Sequence, residues 1–88
     1  MIPVVIEWVD AEGGEVEDQQ SRNALARRKC PILTQIGWLV DNDRDRLAIC
    51  GEYQEGSEWI RGSGLIPWVL VVSAKRVDTN KPIRRPKQ

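Results

Sequence analysis

Four carboxylates at fixed spacing come closest to chemistry in this 88-residue chain. In "DNDRDRLAICGE", Asp41, Asp43, Asp45 and Glu52 occupy positions 1, 3, 5 and 12 of a calcium loop of the EF-hand type. Two features argue against calcium. Position 6, where the sharp turn of such a loop requires glycine, is Arg46. The flanks alternate like strands, so the loop would run through a strand and leave Glu52 far from the aspartates. The expectation is a solvated hairpin turn whose carboxylates pair with Arg44 and Arg46. A metal site on Cys30 and Cys50 lacks two further ligands, because the chain has no His and no other Cys. No cofactor is expected.

Without histidine the usual general base is missing. Cys30 follows Arg27, Arg28 and Lys29, an electropositive flank that favours a thiolate. A cysteine nucleophile still needs a positioned base, and none can be named. Cys50 lies in an apolar stretch, where thiols are inert. Paired carboxylates occur only in loops, and "GSG" at 62–64 is too short for a phosphate loop. The chain is expected not to be an enzyme.

Binding groups are better represented. Trp8 and Trp38 fall within strand-like runs and are expected in the core. Trp59 follows a polar turn and Trp68 follows Pro67, positions where tryptophan can anchor a partner. Arg61 and Arg76 are the cations that would accompany these rings in a nucleotide site, provided the strands bring them together. Residues 75–88 hold six Lys or Arg against one Asp, so an acidic body carries a basic end. That distribution lacks the broad basic face of a duplex-binding protein. Weak, salt-sensitive phosphate contacts through Lys81, Arg84, Arg85 and Lys87 are the most it predicts. Nucleic acid is not the expected partner.

The elements that must position these groups fit one small domain, residues 1–78, followed by a basic tail, 79–88. The tail has two prolines and one aliphatic residue, Ile83, and is expected to be disordered. Ile2 to Asp10 reads as a strand, and Gly13-Gly14 breaks it. Residues 16–29 are the only candidate helix, a surface one, with acids near its start and Arg27, Arg28 and Lys29 near its end. Residues 32–41 alternate, placing Ile32, Ile36, Trp38 and Val40 on one face, expected to be the core face. Residues 46–53 return as a third strand, and residues 32–53 form a hairpin. Trp59 to Ile66 is a fourth strand, bent at Gly62 and Gly64. Pro67 has no amide to give a ladder, ends that strand and opens a short 3₁₀ turn, after which Val71 to Val77 is a fifth strand. No stretch approaches the ~18 apolar residues of a membrane span. No secretion signal opens the chain, so free thiols in a reducing cytoplasm are expected.

"GLIPWVLV" is similar to the "GLIP" stretch before the last turn of SH3 domains. With five short strands this points to a mainly β, SH3-like five-stranded barrel with one surface helix; an OB-like barrel stays open. A second resemblance is carried by "IEWVDA", "KCPILTQIGWLVDNDRDRLAIC" and "GLIP" followed by "VVSAKRV". Over roughly residues 4–78 these resemble a family of small phage and prophage proteins. Its pattern is Glu-Trp-x-Asp, a Cys before a Gly-aromatic-Leu-Val strand, an acidic turn, and an Ile-Pro before the last strand. The resemblance implies a phage or prophage product in the bacterial cytoplasm and brings no catalytic or ligand residues. Together these readings predict a binding module that engages or inhibits a host protein, with anti-defence as one such role. The alternative is a sponge for a small nucleotide signal. Monomer and homodimer both stay open.

Overall fold

A computed structural model of the chain describes residues 1–10 and 30–87. In chain order these form β1 (Ile2–Val9), β2 (Ile32–Asn42), β3 (Arg46–Cys50), β4 (Glu52–Tyr53), β5 (Ile60–Arg61), β6 (Gly64–Pro67), a 3₁₀ turn (Trp68–Leu70) and β7 (Val71–Arg76). Five strands make an antiparallel sheet in the order β6-β3-β2-β1-β7, and β4 pairs with β5 in a second, two-stranded sheet. The mainly β architecture is as expected. The barrel is not closed by hydrogen bonds, because β6 and β7 are the two edges and do not pair with each other. The expected helix, 16–29, lies outside the described residues.

The expected third and fourth strands are each broken in two, at facing glycines. The Gly51 amide donates to the Arg61 carbonyl at 2.9 Å. Gly62 has φ +66, a conformation that strains any L side chain, and a Cβ there would lie 3.5 Å from the Gly51 nitrogen. At this pair the chain leaves the large sheet and starts the β4–β5 hairpin.

One face of the large sheet carries the core: Val4 and Ile6 of β1, Leu47 and Ile49 of β3, Ile66 of β6 and Ala74 of β7. Alternation along β1 sends its even-numbered residues inward. Val4 pairs with Gly37 and Ile2 with Leu39, so the inward residues of this part of β2 are odd-numbered. The expected core face of β2 is therefore corrected: Ile32, Ile36, Trp38 and Val40 point to the opposite face, where Ile36 is 72% exposed. A one-residue difference in parity moves the whole set from one face to the other. Gly37 occupies the inward row because a Cβ there would lie 2.7 Å from the Cys50 carbonyl oxygen. Trp8 packs half-buried against the core cluster, as expected.

Pro67 pairs with Arg46 at the edge of the sheet. The next amide, Trp68, donates to the Asp45 carbonyl at 3.0 Å, so the ladder bonds fall on Trp68 and not on residue 67. The proline nitrogen therefore faces away from β3, and no ladder bond is lost. Its φ of −60 is the value its ring imposes. Pro67→Ala should destabilise by about 0.4–1 kcal/mol, because alanine frees the unfolded chain. Paired denaturant melts check this by sign; a more stable variant would contradict the assigned ladder.

The tail departs furthest from expectation. Disorder is expected over residues 79–88, yet through residue 87 the chain turns at Val77–Asn80 and runs back along the free edge of β7. The Arg76 amide donates to the Lys81 carbonyl and the Ile83 amide to the Ala74 carbonyl, both at 2.8 Å, and Lys75 bridges to Pro82. Ile83, the one aliphatic residue of the segment, packs half-buried against the core cluster. Beyond it, the Asn42 side-chain amide donates to the Arg84 carbonyl at 3.0 Å, and Arg85 Nε donates to the Arg44 carbonyl. Low hydrophobicity predicts disorder only where a segment has no edge or pocket to occupy. This one has both.

Candidate functional site

The β4–β5 hairpin is built around a turn in which the Ser57 amide donates to the Gln54 carbonyl at 3.1 Å. Gly56 supplies the positive φ, +78, that the third turn position needs. The Ser57 hydroxyl then accepts the Trp59 amide at 3.1 Å, fixing the backbone just before β5. Trp59 itself is left 84% exposed. It borders a cleft of about 490 Å³ with Glu52, Tyr53, Gln54, Ile60 and Arg61.

The hairpin is tied to the large sheet by an aromatic contact that the sequence did not reveal. The Tyr53 ring meets Trp38 edge to face, with centroids 5.1 Å apart and planes at 77°. Such pairs contribute about 0.5–1.5 kcal/mol beyond their buried area. Trp38 thus sits on the outer face and supports the cleft from behind, rather than filling the core. Cys50, opposite Trp38 in the ladder, is buried outside the core cluster, while Cys30 is exposed; both thiols are free.

Of the residues singled out from sequence, Trp59 and Arg61 come together in this cleft. Trp68 and Arg76 do not line it. Trp68 lies at the far end of β6, half-buried against the core, with its indole nitrogen donating to Asn42 Oδ1 at 2.9 Å. Arg76 sits on the opposite edge strand and holds Asp78 through two hydrogen bonds, at 3.0 and 2.9 Å. Lys81, Arg84, Arg85 and Lys87 all lie on the docked C-terminal segment, with Lys81, Arg84, Arg85 and Lys87 exposed to solvent. Asn42, also missed, joins three elements: it receives the Trp68 indole and donates to Arg84.

The acidic turn is the hairpin turn expected. Arg46 bridges Asp41 at 3.0 Å and Asp43 at 3.3 Å, and Arg44 lies 3.9 Å from Asp45. Asp43 Oδ1 accepts the Arg46 and Asp45 amides at 2.9 and 2.8 Å. These two bonds, the Arg46 amide foremost, hold the Asp43 carboxyl below its ordinary value, and the Arg76 hydrogen bond does the same for Asp78. The stabilisation from a lowered carboxyl is complete above the ordinary value of 3.8 and is lost as the pH falls through the lower folded value. Denaturant midpoints should therefore fall as the pH drops below that ordinary value, and less steeply in Asp43→Asn. An equal slope in the variant would contradict the assignment.

Among the described residues no cluster of three metal-ligating side chains occurs, and no helix is long and apolar enough to cross a membrane. Comparison with protein-family models, with curated proteins and with solved structures found no match.

Proposed function

We propose that this chain is a small non-enzymatic binding module that engages a protein partner through the β4–β5 hairpin, with Trp59 as the anchor. The observation that carries the reading is the exposure of Trp59 beside a cleft whose other wall, Tyr53, is braced by Trp38. Tryptophan is among the residues most enriched in binding hot spots, and a rigid backing reduces the ordering cost on association. The resemblance to small phage and prophage proteins supports a host protein in the bacterial cytoplasm as the partner, with anti-defence as one role. The strand order and the single 3₁₀ turn between β6 and β7 support an SH3-like topology.

Electrostatics favour a protein over a nucleotide in this cleft. Glu52 lines it, Glu55 and Glu58 flank it on the same hairpin, and Arg61 is the lone cation among residues 51–62. A phosphate there would meet more like charge than opposite charge. Trp59→Ala should leave stability within about 0.5 kcal/mol of wild type, since the side chain is exposed. The same change should weaken capture of the partner from bacterial lysate at least tenfold, the loss of a hot spot of about 1.4 kcal/mol or more. Equal capture by both proteins would overturn the reading. Saturable binding of a cyclic nucleotide in calorimetry, lost in Trp59→Ala, would replace it with the nucleotide sponge.

A further inference from the structure

The C-terminal segment occupies the edge of β7 as a ligand would occupy it, and its contacts define what that edge recognises. The edge offers one backbone acceptor, the Ala74 carbonyl, and one donor, the Arg76 amide, spaced for an extended chain. Between them and the core lies a site filled by a single aliphatic side chain, Ile83. One residue further on, the Asn42 amide captures a carbonyl, and one beyond that the Arg44 carbonyl accepts a guanidinium hydrogen bond. Pro82 sits where the strand would otherwise present a free amide, which limits growth of the sheet beyond the segment.

We infer that the β7 edge is a strand-addition site, occupied in cis by residues 81–85, whose ligand class is an extended peptide with an aliphatic residue followed two positions later by an arginine. Addition of a peptide strand to a sheet edge is an established recognition mode: main-chain bonds give affinity, and side-chain pockets give selectivity. The tether makes the site self-masking. A segment joined through the short turn at 77–80 competes at an effective concentration of order millimolar, so a peptide in trans binds only when the segment is weakened or drawn away. The surface is distinct from the Trp59 cleft, and its failure would leave the proposed function untouched.

The probe is a fluorescein-labelled peptide of sequence TNKPIRRPKQ, titrated by anisotropy into full-length wild type and full-length Ile83→Asp. The Ile83→Asp protein should bind it at least tenfold more tightly than wild type does. It should also bind at least tenfold more tightly than it binds a control peptide carrying Asp at the isoleucine position. Equal binding of the two peptides, or equal binding by the two proteins, would overturn the inference. Amide hydrogen exchange on wild type is a second readout, independent of whether the variant folds. The Arg76 and Ile83 amides, bonded only through the docked segment, should exchange at least tenfold faster than the buried β1 amides. Exchange at the rate of the core would show that the segment does not detach, and would also overturn the inference.

Discussion

Leu47→Ala is expected to lower the free energy of unfolding by about 2–5 kcal/mol. Leu47 is fully buried on the internal strand β3, pairs with Ile66 across the ladder, and belongs to a core cluster of six buried residues among the described ones. Removing its side chain forfeits the transfer energy and leaves a cavity that paired strands cannot collapse into. Small domains are stable by only about 5–15 kcal/mol, so this one change removes a large share of the total. Leu65 supplies the control. It precedes Ile66 on the edge strand β6 and pairs with Ala48, yet points to the opposite face and is 69% exposed. Leu65→Ala should change stability by about 0.5 kcal/mol or less. Denaturant titration followed by tryptophan fluorescence compares the two. Similar costs for both would mean that the inward face of the sheet has been misassigned.

Ending the chain after Asn80 should also be costly. The truncation removes two backbone hydrogen bonds on the β7 edge, the Asn42–Arg84 bond, and the contact of Ile83 with the core. At a net ~0.5–1.5 kcal/mol per hydrogen bond, the expected loss is about 2–4 kcal/mol. It also leaves the edge of β7 bare, and unprotected strand edges promote association. The charges of the segment should matter much less, because Lys81, Arg84 and Lys87 are exposed. Replacing those three with glutamine should shift stability by about 0.5 kcal/mol or less. A truncated chain as stable as the full one would show that residues 81–87 are a passive tail after all.

What the sequence could disclose depended on how local the cause was. The run from Ile2 to Asp10 is rich in Val and Ile and carries Trp8, and those residue types alone predict a strand. Pro67 announces a strand end through its own missing amide. In β2 alternation pointed to the wrong face, because the more hydrophobic row, Ile32, Ile36, Trp38 and Val40, is the outer one. The inward row contains Gly37, whose value lies in the absence of a side chain next to the Cys50 carbonyl. That neighbour is distant in sequence and leaves no periodic trace. Ile83 failed for a related reason: one aliphatic residue among prolines and arginines looks solvated until β7 supplies an edge beside it. Trp59 could be placed after a polar turn from sequence, but the cleft it borders depends on Tyr53 of the same hairpin meeting Trp38 of β2 edge to face. Asn42, between Asp41 and Asp43 at the end of β2, gave no sign that it joins the Trp68 indole to the C-terminal segment.

The central claim is that the protein meets its partner at the β4–β5 hairpin. Site-specific photo-crosslinking in living bacteria tests it most directly, with the crosslinker replacing either Gln54 in the cleft or Val69 in the 3₁₀ turn at the other end of β6. Both positions are exposed, so neither replacement should disturb the fold. The account predicts one discrete adduct from position 54, abolished when Trp59→Ala is added, and none from position 69. An adduct from position 69 alone, or one from position 54 that persists in Trp59→Ala, would contradict it.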